Sequence, residues 1–335
     1  MPDIKILTEG DLRAAIQLDL GAVDCIESAF RALAGGDVVM PPILSMAIEA
    51  HNGEVDVKTA YVPGIDSFAI KMSPGFFDNP KIGLPSTSGL MVLFSARTGV
   101  LEALLLDNGY LTDVRTAAAG AVAARHLSRE DSKNACIIGA GVQGALQLKA
   151  LCLVRPLEQA VIWARDFAKA ETLGRQLSDE LGISVTATRD IESAVTAADI
   201  IVTTTPSATP LVMVDWLRPG QHITAMGSDQ HHKNELQPEC LVRANLYVAD
   251  RRSQTEQLGE LHHALKSGII DSDTQFPELG QIVSGQTIGR RSPHDITICD
   301  LTGTGVQDTA IATLALQRAQ SSAAGTQFNT SGACT

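Results

Sequence analysis

The 335-residue chain is 44% hydrophobic and 19% charged and carries a formal net charge of −12. Its length favours two cores over one, and its acidity disfavours nucleic acid or an anionic membrane as partner, because either would repel such a surface. A small molecule is the expected ligand.

The N-terminal MPDIKILTEG has neither the basic segment nor the small-residue cleavage site of a secretory signal. No uncharged apolar run reaches the ~18 residues that a membrane span needs. Six cysteines are scattered without a C-x-x-C pair, so the reading is a cytoplasmic protein with free thiols, no disulfides and no zinc.

From Leu20 to Leu33, Val23, Ile26, Phe30 and Leu33 recur at helical spacing, and Gly35-Gly36 closes the pattern. Four strand-like runs follow, EVDVKTAYV, SFAIKMS, GLMVLFS and VLEALLL, separated by Pro-Gly, Asn-Pro and Arg-Thr-Gly turn signals. They predict an antiparallel or mixed sheet. TDVRTAAAGAVAARHL then predicts an alanine-rich helix capped by Thr112. Beyond it NACIIGAG, QAVIWA, SVTAT, DIIVTTT, HITAMG, NLYVAD and DITICD mostly alternate with helical stretches, as in a doubly wound parallel sheet. A last helical pattern, TGVQDTAIATLALQRA, is expected to return to the first domain, and the small polar tail from about residue 320 to be disordered.

The expected fold is therefore α/β, with a Rossmann domain over 116–305 and a mixed α+β domain built from 1–115 plus 306–335. Within the former, CIIGAGVQGALQL places Gly139, Gly141 and Gly144 as G-x-G-x-x-G directly after a strand, with Val142 and Gln143 opening a helix. The first glycine makes the turn, the second admits a pyrophosphate and the third lets helix and strand approach. Free N–H groups and the dipole at the helix start then favour the phosphates. The cofactor-selecting position lies about 20 residues further on. There the chain reads Ala164-Arg165-Asp166; a small residue followed by Arg165 favours NADP(H), while Asp166 keeps NAD(H) open. Thr204 ends another strand and is a candidate cofactor contact.

The stretches FAIKMSPGFFDNP, TDVRTAA, IIGAGVQ, TAMGSDQHHKNEL and CDLTGTGVQD, in this order and spacing, resemble the ornithine cyclodeaminase and mu-crystallin family, and within it most closely the branch assigned to ectoine and hydroxyectoine utilisation. The resemblance implies a substrate-binding and dimerisation domain beside the Rossmann domain, a homodimer, and hydride transfer at a carbon bearing nitrogen. It makes Asp229 the general acid/base, Lys71 a substrate-facing cation, Arg115 a clamp for a substrate carboxylate, Thr116 and Lys233 cofactor neighbours, and Thr302 a pocket residue. Where relatives carry an arginine after a proline, this chain reads VMPPILSM; Lys58 is the nearby cation that could compensate, with the geometry of a point charge.

Adjacent His231 and His232 tend to diverge and so make a poor metal pair, as do His262 and His263; no metal is expected. The leading expectation is an NAD(P)H-dependent reductase of C=N bonds, or an amino-acid dehydrogenase, acting on a small nitrogen-containing carboxylic acid. The alternatives are a cyclodeaminase with recycled NAD and a non-catalytic NADPH-binding protein.

Overall fold

The computed structural model describes residues 3–330. In chain order the elements begin with β1 (Ile4–Thr8), α1 (Glu9–Ala15), α2 (Leu20–Ala34), β2 (Leu44–Ile48), β3 (Gly53–Ala60), β4 (Ser67–Phe76), β5 (Leu90–Ser95), β6 (Leu101–Leu106) and α3 (Tyr110–Leu127). The middle of the chain forms β7 (Asn134–Ile138), α4 (Val142–Val154), β8 (Gln159–Trp163), α5 (Phe167–Leu181), β9 (Ser184–Thr188), α6 (Ile191–Ala197), β10 (Ile200–Thr203) and β11 (His222–Ala225). There follow α7 (Glu239–Arg243), β12 (Leu246–Ala249), α8 (Arg252–Thr255), α9 (Gly259–Lys266), α10 (Leu279–Val283), β13 (Thr297–Asp300), α11 (Gly305–Ser321) and β14 (Thr326–Phe328).

Contacts group these elements into two compact units. The first comprises the chain up to Gln17, Asp24–Arg115 and the chain from Thr304 onward; the second comprises Leu18–Val23 and Thr116–Gly303.

The first unit holds a seven-stranded mixed sheet in the order β14-β1-β6-β5-β4-β3-β2. Only the β1–β6 pair is parallel. Along β4 burial alternates, with Ser67, Ala69 and Lys71 on the buried face and Phe68 and Ile70 more open. α11 packs on β3 and β4. A Cβ at Gly305 would run into the Thr59 carbonyl, so the missing side chain allows the close approach. The buried Thr309 hydroxyl joins the layers, donating to Ala60 O at 2.9 Å and accepting from Ala69 N–H at 3.1 Å.

Two expectations need correction. Between 320 and 330 the chain is ordered: α11 runs to Ser321, and Thr326–Phe328 pair antiparallel with β1. An edge strand needs only a free row of backbone donors and acceptors, which a polar sequence can match without an apolar pattern. The rest of the tail, 331–335, lies outside the described residues. Thr112 is not the cap of α3, which starts at Tyr110. The carboxylate of Asp107 accepts the Leu111 N–H at 2.9 Å and does the capping instead.

The second unit is a Rossmann-type α/β domain whose seven strands are all parallel, in the order β12-β13-β11-β10-β7-β8-β9. Alternate side chains feed two cores. Cys136, Ile138, Ile201, Ile223 and Ile298 enter one, and Ala135, Ile137, Ile162, Ile200 and Val202 the other. Burial on both sides is why these strands read as continuous apolar runs. Strand order reverses between β7 and β10, the switch point where such sheets bind ligands at their carboxyl ends.

Candidate functional site

In the second unit the fingerprint sits at that switch point. Gly139 has φ of +124°, and a Cβ there would collide with Thr204 Oγ1. Gly144 faces the Gly139 carbonyl so closely that a Cβ has no room. Gly141, the helix cap of α4, has open space where a Cβ would be. Two glycines therefore serve the turn and the helix–strand contact, and the third leaves room for an incoming group. Val142 and Gln143 open α4, so they stand in the first turn, at the positive end of the helix dipole. Thr204 lies against Gly139 with its hydroxyl donating to Ile138 O at 3.2 Å. The residues present fit a dinucleotide pyrophosphate.

Arg165 is exposed just past β8. Asp166 caps α5, accepting from Ala168 N–H at 3.1 Å and Lys169 N–H at 3.4 Å. Thr116 is half-buried on α3, and its carbonyl accepts from Gln147 Nε2 at 3.1 Å. Gln147 in turn occupies the space that a side chain at Gly120 would need, which accounts for the glycine inside the alanine-rich helix.

Asp229 follows β11 at the carboxyl edge of this sheet and is 48% exposed. Lys233 Nζ lies 2.6 Å from its Oδ1 and is only 12% exposed. The loop is pinned through the Lys233 carbonyl, which accepts from Ser228 Oγ and lies 2.7 Å from His263 Nε2. His231 and His232 pack edge to face with ring centroids 5.3 Å apart. Among the described residues no three His, Cys, Asp or Glu side chains are grouped to hold a metal.

Two steps further on stands Glu235, to which the sequence reading assigned no role. Fully buried, it takes Thr205 N–H at 2.6 Å and Thr205 Oγ at 2.7 Å on Oε1, and Gly227 N–H at 2.8 Å on Oε2. It thereby staples the loops after β10 and β11. Burial pushes its carboxyl up to about 7 against the pull of these donors. Glu260 accepts the Glu235 and Leu236 N–H groups, and Asp300 accepts Tyr247 Oη, Glu260 N–H and Leu261 N–H. Asp300 too is pushed up to about 7, by burial first and then by Asp250. Thr302 is held in this network: its hydroxyl donates to Asp250 Oδ1 at 3.0 Å and accepts from Gln254 Nε2 at 2.7 Å. Its side-chain donor is thus committed inside the unit, and a structural role accounts for the residue.

In the first unit Lys58 and Lys71 stand opposite one another in the β3–β4 register, both buried. Lys71 Nζ lies 3.2 Å from Asp308 Oδ2, and Arg115 Nε 3.0 Å from Asp308 Oδ1. Arg115 Nη1 also donates to Gln307 Oε1 at 2.9 Å, while the buried Gln307 Nε2 has no partner among the described residues. Burial pulls the Lys71 ammonium down to about 7; Asp308 opposes this, and the charges of Arg115 and Lys58 add to it. For Asp308 burial acts upward, but Lys71, Arg115 and Lys58 outweigh it and hold the carboxyl below its ordinary value.

The structure thus brings Lys58, Lys71 and Arg115 together around an acid absent from the sequence-derived set. The signal lay in the quoted CDLTGTGVQD, where Gln307 and Asp308 stand in the first turn of a largely buried helix.

Comparison with known proteins decides the family. The ornithine cyclodeaminase/mu-crystallin family profile matches residues 4–323. The chain belongs to this family.

Among its relatives, the Sinorhizobium fredii protein named "uncharacterized cyclodeaminase y4tK" is 62% identical over 329 residues, covering 98% of this chain and 99% of its own. The Thermococcus litoralis Δ1-pyrroline-2-carboxylate reductase, solved with NADH and L-proline, superposes with a TM-score of 0.91 at 31% identity, covering 96% and 99% of the two chains. An archaeal alanine dehydrogenase dimer with bound NAD gives a TM-score of 0.91 at 32% identity, covering 98% and 99%.

Proposed function

We propose that this family member is an oxidoreductase acting on C=N and CH–NH groups, reducing a small imine that bears a carboxylate. The observation that carries this reading is the convergence of Lys71 and Arg115 on one buried carboxylate. Such a pair, with the spare donor of Gln307 beside it, suits a second carboxylate delivered by a substrate. The reductase crystallised with NADH and L-proline supports the same class of ligand.

A bound nicotinamide cofactor would supply the hydride, held at its pyrophosphate by the Gly139–Gly144 turn and the first turn of α4. The protein's own part is to orient and to move a proton. Lys71 and Arg115 fix the carboxylate and place positive charge near the C=N bond, which draws electron density from the carbon that accepts hydride. Asp229, partly exposed and paired with Lys233, gives a proton to the nitrogen in reduction and takes it back in oxidation. Lys58 is assigned to the substrate side through its place opposite Lys71.

The cofactor is read as NADP(H). Past β8 stand Ala164 and Arg165, and the nearby carboxylate, Asp166, is occupied in capping α5. NAD(H), bound by the two solved relatives, is the competing assignment. A homodimer is read from the archaeal dehydrogenase dimer and from the apolar edge strand β2, where Leu44 and Met46 are exposed. The buried thiols of Cys136, Cys240 and Cys299 suit a reducing cytoplasm. Ectoine or hydroxyectoine breakdown is assigned as the pathway on the branch resemblance alone.

A second reading, a cyclodeaminase that oxidises an amine, loses ammonia and returns the hydride, is favoured by the name of the 62% identical relative. One experiment separates the two. The protein is incubated with NADPH or NADH and cyclic and linear imino acids, and separately with ornithine and NAD, following nicotinamide absorbance and ammonia together. Net cofactor oxidation with an imine, reduced on the order of 10²–10⁴-fold by Asp229→Asn, is expected. Ammonia release from ornithine at constant absorbance would instead establish the lyase.

A further inference from the structure

The carboxyl ends of β8 and β9 carry a set of cations that the fingerprint does not account for. The two strands pair in parallel with Trp163 opposite Thr188. The residues next in line are Ala164 and Arg165 on one connection and Arg189 on the other. We infer that Arg189, seated on Phe167, is the second cation of a ribose-phosphate site and, with Arg165, selects a cofactor phosphorylated at the adenosine 2′ position. The inference rests on the NADP(H) reading and names a residue that enforces it.

Three observations carry it. First, both carboxylates at these strand ends are spent on helix caps. Asp166 takes the first-turn N–H groups of α5, and Asp190 takes Ser193 N–H at 3.1 Å and Ser193 Oγ at 2.6 Å at the start of α6. A ribose diol recognised by NAD-selective sites needs an acid with free oxygens, and here Asp190 commits both oxygens, and Asp166 its Oδ1, to local tasks.

Second, Arg189 is held without being neutralised. Its Cζ lies 4.1 Å from the centroid of the Phe167 ring, a stack that confines the guanidinium plane while leaving its N–H edges available. Phe167 is the first residue of α5, two positions after Arg165. Among the described residues neither Arg165, Arg189 nor Lys169 has an acidic partner within ion-pair distance. Cations carried on neighbouring strand ends repel, a cost that a dianionic phosphate offsets by bidentate bonding.

Third, a groove of about 400 Å³ lies between the fingerprint and α5. It is lined by Ala140, which stands between Gly139 and Gly141, and by Ala168, Lys169, Thr172, Leu173 and Gln176 on α5. Lys169 thus brings a third cation to a cleft that begins at the pyrophosphate turn.

The test is direct binding to the intact protein, by calorimetry, of adenosine 2′,5′-bisphosphate and adenosine 5′-monophosphate, with no turnover involved. The wild-type protein is expected to bind the bisphosphate about tenfold or more tightly. Arg189→Ala should remove most of that preference while leaving the monophosphate affinity unchanged, which also reports an intact fold. Phe167→Leu, which keeps the arginine but removes its platform, should give a smaller loss in the same direction. Preference retained in Arg189→Ala, or both ligands weakened equally, overturns the assignment of Arg189 and leaves the NADP(H) reading standing. Absence of preference in the wild type overturns the NADP(H) reading itself, and the inference with it.

Discussion

Lys71 and Asp308 meet at 3.2 Å with both side chains almost wholly excluded from water, one on strand β4 and the other in the first turn of α11. The strand places Lys71 on the face that α11 covers, and the helix supplies the anion that keeps a buried ammonium tolerable. Removing one partner of a buried pair costs roughly 3–5 kcal/mol because the other charge is left uncompensated.

Asp308→Asn is therefore expected to lower stability by about that amount and to pull Lys71 below its present value of about 7. With the charged form needed for carboxylate binding, wild-type kcat/KM for an imino acid should fall as pH rises through about 7. In Asp308→Asn that limb should move to lower pH, and in Lys71→Arg it should vanish, since a guanidinium stays charged. An unmoved limb would show that Lys71 is not the titrating group. Chemical denaturation alongside the pH profiles separates the stability effect from the catalytic one.

The fingerprint glycines predict two different failures. Gly144→Ala forces a Cβ onto the Gly139 carbonyl and should destabilise the fold by about 1–3 kcal/mol, the usual cost of overpacking. Gly141→Ala meets open space, so the melting temperature should hold while dinucleotide affinity drops about tenfold or more. Nicotinamide fluorescence titration and a thermal melt on both variants check the contrast; equal behaviour would refute it.

Glu235 and Asp300 predict the pH dependence of stability. Burial raises both to about 7, so between their unfolded values near 4 and about 7 the folded chain holds more protons than the unfolded one. Their contribution is complete at the acid end and is lost as pH rises through about 7. Lys71 acts oppositely: depressed to about 7, it makes stability climb with pH from there towards its unfolded value near 10. The unfolding midpoint should thus decline from about pH 5 to 7, and Glu235→Gln should flatten that decline while costing about 1–3 kcal/mol in misdirected donors at Thr205 or Gly227.

Strand β2 predicts the assembly. It ends its sheet, with Leu44 66% and Met46 53% exposed, and apolar side chains on an open edge invite pairing with a second chain. Leu44→Glu with Met46→Glu should shift the sedimentation profile from dimer to monomer without a change in secondary structure by circular dichroism. A dimer that persists would place the interface elsewhere.

Local sequence determined a good deal. The glycine spacing gave the turn at Gly139, because only a residue without Cβ fits its positive φ beside Thr204. Apolar runs gave the parallel strands, because a strand buried on both faces is mostly apolar. Asp229, Lys71 and Arg115 were legible as candidates through motif resemblance, and Lys58 as a nearby strand cation. Their distant partner was not: that Lys71 and Arg115 share Asp308 is a fact of tertiary position.

The tertiary structure alone decided this, together with the strand in the tail and the burial of Glu235. The physical reason is that periodicity and steric freedom act over a few neighbouring residues, whereas the solvation of a charge depends on which distant segment covers it. Glu235 and Asp229 stand six residues apart in one polar stretch, yet the fold leaves one carboxylate partly in water and surrounds the other with protein donors.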